Sequence, residues 1–213
     1  MKSVLAIKWI KVPLFVLCLV PAARLVWKGF HDGLGANPLE FITHETGDWI
    51  LIFLVLTLSI TPARKLLGQP QLIRFRRMLG LFAFFYAFLH FGIWIGLDKV
   101  FNLHDMYDDV MKRRFITVGF TGFALMIPLA LTSTAGWIRR LGGKRWQMLH
   151  RLIYVTAIAG VVHYYWLVKS DVHKPVRYGI IVAVLLGYRA ALRIVERRKH
   201  PSPAERSMAS STH

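Results

Sequence analysis

Three of the nine histidines, His90, His150 and His163, lie inside or at the edge of long apolar segments. An ionisable side chain within a membrane span is costly and is a functional candidate by default. Imidazole is also a common axial ligand of haem iron. Cys18 is the single cysteine and no Cys-x-x-Cys-His sequence is present. The pattern therefore indicates haem held without thioether bonds, and it excludes a cysteine-ligated metal cluster within the chain.

His90 and His163 are predicted to lie at similar depth on parallel helices. His90 follows Arg77 by 13 residues, which corresponds to about 20 Å of helix rise. His163 follows Trp146 by 17 residues, which corresponds to about 25 Å. Both imidazoles then reach the outer half of the membrane, where they can bind one haem iron from its two sides. The aromatic residues around them suit a macrocycle, but ordinary packing explains any single one of them as well.

His150 is a less certain iron ligand. It precedes His163 by 13 residues, whereas two ligands on one ideal helix face are separated by about 14 residues. At the matching depth on the third helix the chain has Arg76 and Arg77 instead of a histidine. His150 could bind a second haem with an unusual partner, or it could contact a flavin or a quinone at the cytoplasmic face.

The elements that must position these histidines are membrane helices. Hydrophobic residues make up 55% of the 213 residues, in blocks of roughly 18–23, each long enough to cross a bilayer core of about 30 Å. The sequence predicts an all-α integral membrane protein, a six-helix transmembrane bundle of residues 1–199 with a disordered tail at 200–213. The predicted spans, the first retained in the mature protein, are residues 9–27, 48–60, 78–97, 115–131, 146–168 and 176–194.

The net charge of +17 is concentrated at the ends of the spans. Basic residues gather at the start, in the second-to-third and fourth-to-fifth connections, and at the C-terminal end. The other connections carry most of the acids. The positive-inside rule then predicts that both termini are cytoplasmic. Because the charge follows topology and forms no continuous basic face, nucleic-acid binding is disfavoured.

Basic residues at the cytoplasmic end form a possible cofactor site. They attract anionic lipid, but guanidinium also binds phosphate in a bidentate manner, which would suit flavin mononucleotide (FMN). The candidate residues are Arg74, Arg76, Arg77, Arg145 and Arg151. Arg24, near the outer end of the first span, either extends to the interface or pairs with a haem propionate.

No His-Glu-x-x-His, Gly-x-Gly-x-x-Gly or P-loop sequence is present, and no nicotinamide-binding domain follows the last span. The chain is therefore not expected to collect electrons from a nicotinamide by itself. A partner flavoprotein or the membrane quinone pool must supply them.

Several longer motifs resemble a known family. The chain is similar to the ferric-reductase-like transmembrane group, which includes the NADPH oxidases, and within it to haem-binding membrane subunits of periplasmic methionine sulfoxide reductase systems. The similarity extends from about residue 9 to 198, and its motifs are TGDW (46–49), LSITPAR (58–64), RRMLGL (76–81), YAFLH (86–90), LALTST (129–134), WQMLHRLIY (146–154) and HYYW (163–166).

The resemblance implies more than the residues indicate alone. Members of the wider group typically hold two haems with four histidines, two each on helices three and five; this chain matches three, with arginine at the fourth. The resemblance also implies FMN, electrons taken from quinol, and a soluble periplasmic molybdopterin partner (MsrP-like) that reduces methionine sulfoxide in oxidised envelope proteins. The loop from about Lys169 to Arg177 is the predicted docking face for that partner.

Three functions remain open from the sequence. The first is a haem b electron-transfer subunit in the bacterial inner membrane that serves a periplasmic reductase. The second is a stand-alone ferric or cytochrome b561-like transmembrane reductase that needs no protein partner. The third is a small transporter or scaffold without haem. In the first, the chain has no catalytic residues of its own, because the reductase is a separate protein.

Overall fold

The computed structural model describes residues 2–168 and 170–199. Within these ranges the chain is α-helical and has no strand, as the composition predicts. The predicted tail and Lys169 of the predicted docking loop lie outside the described residues. The helices are α1 Lys2–Phe30, α2 Pro38–Leu66, α3 Ile73–Ile93, α4 Leu103–Lys112, α5 Arg114–Leu131, α6 Ala135–Leu141, α7 Gly143–Leu149, α8 Leu152–Leu167 and α9 His173–Lys199.

Five segments of the described chain are long and apolar enough to cross a membrane: Trp9–Phe30, Pro38–Leu66, Pro70–Asp98, Arg114–Leu131 and His173–Val195. The third includes a 3-10 turn before α3 and a π-helical turn, Trp94–Asp98, after it. The remaining predicted span corresponds to α8, whose 16 residues rise about 24 Å. The count of six spans and the orientation of the termini stay predictions.

Helix α2 begins ten residues earlier than predicted, at Pro38. The Asn37 side chain accepts a hydrogen bond from the Glu40 backbone N–H, and its amide donates to the Glu40 carboxylate at 2.8 Å. This reciprocal pair caps the helix, and proline is suited to the first helical position. Glu40 and Glu45, which the predicted spans leave in a connection, therefore lie on α2.

Helix α2 also continues through Pro62, where the sequence predicts its end. Proline has no N–H, so the carbonyl four residues earlier, on Leu58, loses its helical partner. The guanidinium of Arg189, on α9, donates to this carbonyl at 2.7 Å. Arg189 is buried and also donates to the Tyr154 hydroxyl at 2.9 Å. This replacement of the lost bond explains why the predicted boundary is wrong.

The predicted continuous span of residues 146–168 is also wrong, because the helix breaks at His150 and Arg151. The ring of His150 stacks on Trp146 with centres 3.9 Å apart. Both rings are held by Thr132 at the end of α5. The Trp146 indole donates to the Thr132 carbonyl at 2.8 Å, and His150 Nε2 lies 3.0 Å from the Thr132 hydroxyl. These contacts tie α7 to the end of α5, and α8 begins at Leu152, after the break.

The core lies among α2, α3, α5 and α8, with α9 packed on α2 and α8, and α1 on α2 and α3. Leu54, Leu58 and Tyr86 are almost completely buried at its centre. The Tyr86 hydroxyl donates to the Cys18 carbonyl at 2.8 Å and accepts from the Ala22 N–H at 3.1 Å. It thus inserts into one turn of α1 beside Pro21, which ties this peripheral helix to the core.

Candidate functional site

The structure brings His90 of α3 and His163 of α8 together. Their ring centres are 6.2 Å apart and the ring planes are nearly perpendicular, at 89°. With a metal–nitrogen bond of about 2 Å and roughly 1.1 Å from that nitrogen to the ring centre, two imidazoles on opposite sides of one iron have centres about 6 Å apart. The observed separation therefore fits a single iron atom between the rings.

A backbone carbonyl and a side-chain hydroxyl of α2 orient the His90 imidazole. Its Nδ1 lies 3.1 Å from the Thr43 carbonyl oxygen and 3.1 Å from the Thr46 hydroxyl. The Thr46 hydroxyl itself donates to the Ile42 carbonyl at 2.8 Å, so both groups accept a hydrogen bond from Nδ1–H. Nε2 then carries the free lone pair, as a metal-binding histidine requires.

The His163 imidazole is fixed in the same way against α5. Its Nδ1 lies 2.6 Å from the Phe115 carbonyl oxygen, so Nδ1–H donates and Nε2 keeps its lone pair. The ring lies directly on the backbone of Gly119, where a Cβ would be only 2.5 Å from Nδ1. Glycine at position 119 is therefore required for this ring position.

Both histidines line a cavity of about 400 Å³ between α2, α3, α5 and α8. This volume is within the roughly 300–1,000 Å³ of small-molecule and cofactor sites. Its walls are mainly apolar, formed by residues such as Leu51, Leu54, Phe91, Phe123 and Met126. Among the described residues no group of three or more His, Cys, Asp or Glu could hold a bare metal ion. Two opposed imidazoles instead suit iron whose other ligands come from a porphyrin.

Charged groups form one edge of the cavity. Arg113 lines it and pairs with Asp109, with Nε 3.2 Å from Oδ1. Asp48 also lines it. One Asp48 oxygen lies 3.2 Å from Lys174 Nζ, and the other is buried without a hydrogen-bond partner in the protein. Arg113 is the one Lys or Arg among the described residues that line the cavity, so its guanidinium is a candidate partner for a haem propionate at this edge.

The sequence reasoning missed five residues of this site: Thr43, Thr46, Asp48, Arg113 and Gly119. The positions of Thr43 and Thr46 one helical turn apart could have indicated a common face, had α2 been predicted to start at Pro38. Arg113 belongs to the basic run Lys112-Arg113-Arg114, and nothing in that run alone connects it with a cofactor site. No sequence signal identified Gly119, because its role depends on where the ring of another helix lies.

The remaining predicted site residues lie elsewhere. Arg24 is exposed on α1 and is not among the residues that line the cavity. His150 is at the opposite end of the bundle, beside Thr132. Arg76, close to it, interacts with the Tyr154 hydroxyl, which Arg189 also contacts. The other predicted arginines are exposed at this end: Arg74, Arg77, Arg145 and Arg151.

Comparison with known proteins identifies a family and several relatives that are similar to most of this chain. The family model described as "Ferric reductase like transmembrane component" matches residues 46–161. A protein of Herminiimonas arsenicoxydans is 57% identical over 83% of this chain and 82% of its own length. Relatives from Ralstonia nicotianae and Caulobacter vibrioides are 51% and 46% identical, over 86% and 82% of this chain and 86% and 83% of their own lengths.

All three relatives carry the name protein-methionine-sulfoxide reductase heme-binding subunit MsrQ. The matched segment of the family model includes His90 and most of the cavity, and the alignments with the relatives extend over more than four fifths of the chain. The chain therefore belongs to the ferric-reductase-like transmembrane family and, within it, to the MsrQ proteins.

Proposed function

We propose that this chain is a haem b-binding subunit that carries electrons across the bacterial inner membrane to a periplasmic methionine sulfoxide reductase. The observation that carries the proposal is the His90–His163 pair, with ring centres 6.2 Å apart and each Nδ1 tied to a backbone carbonyl. Relatives up to 57% identical are named as heme-binding subunits of such a system.

His90 and His163 would hold the iron through Nε2, and Arg113 would pair with a propionate. The haem, when bound, supplies a one-electron iron couple. The chain's own residues prepare for it. The Thr43 and Phe115 carbonyls fix the imidazole tautomers, and the apolar walls exclude water. The protein thus supplies orientation and a low-dielectric surrounding, while the redox chemistry belongs to the cofactor.

The position of the cavity supports delivery to the periplasm. It lies at the end of the bundle where α2 and α5 begin and α3 and α8 finish. Arginine-rich segments mark the other end, which the positive-inside rule assigns to the cytoplasm. With six spans and both termini in the cytoplasm, the paired histidines lie near the periplasmic face, within reach of a soluble molybdopterin reductase of the MsrP type.

We propose one haem for this chain. The Thr132 hydroxyl donates to the Pro128 carbonyl at 2.6 Å, so it accepts from His150 Nε2–H at 3.0 Å. That nitrogen is therefore not free for iron, and Arg76 replaces the expected facing histidine. The exposed arginines near His150 would instead bind FMN through its phosphate, or lie near the site where quinol delivers electrons.

Electron transfer from the reduced, purified protein separates the two redox functions. Haem-loaded protein in detergent is reduced with one equivalent of dithionite and mixed either with an MsrP-like reductase plus methionine sulfoxide or with ferric citrate. Reoxidation that requires both the reductase and its substrate supports the proposal. Equally fast reoxidation by ferric citrate alone would favour a stand-alone ferric reductase.

Absence of haem after expression with ample haem supply would instead favour a transporter or scaffold.

Charge reversal at Lys174 and Arg177, in the predicted docking loop, is expected to slow transfer to the reductase. Because loss of the Lys174 charge beside Asp48 is itself expected to lower the haem midpoint potential, only the haem content and the visible spectrum should stay unchanged. Unaltered transfer in this variant would exclude these residues from the docking face.

A further inference from the structure

Helix α4, Leu103–Lys112, connects the end of the α3 span to the start of α5. No residue of this helix lines the cavity. Apolar, polar and protein-facing residues lie on different sides of this ten-residue helix, so three faces can be distinguished. One faces the protein, one is apolar and exposed, and one is polar and exposed. This division determines the surroundings in which the helix is stable.

The protein face is fixed by ion pairs. Asp109 is only 8% exposed and binds Lys99, which follows the π-helical turn after α3. It also pairs with Arg113 at 3.2 Å. The Val110 carbonyl accepts a hydrogen bond from the Thr117 hydroxyl of α5. These contacts determine the rotation of α4 relative to the bundle, so the other two faces have defined directions.

The apolar face is exposed. Leu103, Tyr107 and Met111 follow each other at intervals of four residues, so they form one stripe along the helix. Their exposed fractions are 78%, 65% and 65%. Val100 and Phe101, just before the helix, are 74% and 72% exposed and have positive φ angles of 47° and 59°. Such conformations are unfavourable for bulky residues, yet here they place further apolar surface beside the stripe.

The polar face carries short charged and hydrogen-bonding side chains. Asp108 pairs with Lys112, and Asn102 caps the first turn by accepting from the backbone N–H groups of His104 and Asp105. These side chains can form their remaining hydrogen bonds with water. The helix therefore has the three-way division expected at a corner where protein, lipid and water meet.

We propose that α4 lies in the plane of the membrane surface, with Leu103, Tyr107 and Met111 inserted into the outer part of the same leaflet that surrounds the ends of α3 and α5. Lipid is the occupant because the stripe continues the apolar exterior at the end of the α3 span, where Leu97 is 58% exposed and the Phe101 ring packs beside Gly96. The polar face contains acidic residues, so insertion depends on apolar burial and not on anionic lipid.

This arrangement would fix one edge of the histidine cavity. Arg113 directly follows α4, pairs with Asp109 and lines the cavity. A helix held by lipid on one face and by ion pairs on another keeps Arg113 at that edge. The proposal itself needs neither haem nor an electron-transfer partner, so its test does not depend on the proposed function.

Spin labels measure the surroundings of each face. In a Cys18→Ala background, single cysteines replace Leu103, Tyr107 or Met111 on the stripe, and His104, Asp105 or Asp108 on the polar face. The full chain is reconstituted in phosphatidylcholine nanodiscs, and collision rates with oxygen and with a water-soluble nickel chelate are compared by power saturation. Val184, exposed on the α9 span, serves as a lipid reference for correctly folded protein.

Labels at the three stripe positions are expected to collide mainly with oxygen, as at Val184, and labels on the polar face mainly with nickel. Adding phosphatidylglycerol to the nanodiscs should not change this pattern. High nickel accessibility along the stripe would overturn the proposal. A stripe that is open to nickel and becomes protected only when a periplasmic reductase is added would identify it as a protein-docking face instead.

Discussion

At the scale of single residues, the site depends on two backbone carbonyls. The Thr43 carbonyl oxygen accepts from Nδ1 of His90, and the Phe115 carbonyl oxygen accepts from Nδ1 of His163. Each histidine therefore keeps Nε2 free to bind a metal. These acceptors come from α2 and α5, whereas the histidines lie on α3 and α8. Four helices must therefore have the correct rotation before either imidazole is properly oriented.

Gly119→Ala tests the position of His163. The new methyl group would lie 2.5 Å from Nδ1, so the ring must move away from α5, and haem content is expected to fall severalfold. Overpacking of this kind also costs about 1–3 kcal/mol of stability. The matched control is Gly122→Ala, whose Cβ would meet Ala159 at an ordinary 3.5 Å. Haem quantified per purified protein checks both; equal haem content in the two variants would contradict the packing argument.

Asp48→Asn tests the charge at the cavity edge. A partly buried carboxylate beside the cavity stabilises the more positive, oxidised iron, so its removal is expected to raise the midpoint potential, by on the order of 50 mV. Lys174→Met removes the cation that partly neutralises Asp48 and should lower the potential. Potentiometric titration of both variants measures these opposite shifts. Shifts of the same sign would show that Asp48 acts through packing and not through charge.

At the scale of the elements, the sequence predicted the helical character of the long apolar segments but not where the helices begin and end. The start of α2 depends on the Asn37 cap, and its continuation through Pro62 depends on Arg189, 131 positions away from Leu58. The break before α8 depends on Thr132, which holds Trp146 and His150. Apolar periodicity contains no information about the contacts of Arg189 and Thr132, so those two boundaries could not be predicted. The Asn37 cap is a local signal, so the start of α2 could have been read from the sequence.

Arg189→Met tests the long-range bond to α2. The substitution removes the donor to the Leu58 carbonyl and leaves a buried acceptor unsatisfied, which costs about 1–3 kcal/mol. The matched control is Arg193→Met, because Arg193 contacts Tyr154 only at 3.4 Å. Thermal unfolding in detergent should show a clearly lower midpoint for Arg189→Met than for Arg193→Met. Equal midpoints would show that the carbonyl does not need this donor.

At the scale of the whole molecule, composition and charge predicted an all-α membrane protein, and the matching depth of His90 and His163 predicted a shared site. The edge of the cavity could not be predicted in the same way. Arg113 and Asp48 are far apart in sequence, and only the packing of α2, α4 and α5 brings them to one cavity. Hydropathy also treated residues 146–168 as one span, whereas α8 has only 16 residues.

Reporter fusions test the orientation of the whole bundle. The arginine-rich end predicts that both termini are cytoplasmic. A green fluorescent protein fused to the C-terminus is expected to be fluorescent, and alkaline phosphatase at the same position is expected to be inactive. Alkaline phosphatase inserted after Phe101, in the connection before α4, should be active. The reverse pattern would place the histidine cavity at the cytoplasmic face and would exclude direct transfer to a periplasmic reductase.

The central claim is that His90 and His163 hold one haem between them. The most direct test is the reduced-minus-oxidised visible spectrum of detergent-purified protein, with wild type beside His90→Ala, His163→Ala and His150→Ala. We expect a b-type spectrum in wild type, its loss in both His90→Ala and His163→Ala, and its retention in His150→Ala, because His150 Nε2 is engaged by Thr132. A full haem signal in either His90→Ala or His163→Ala would contradict the account.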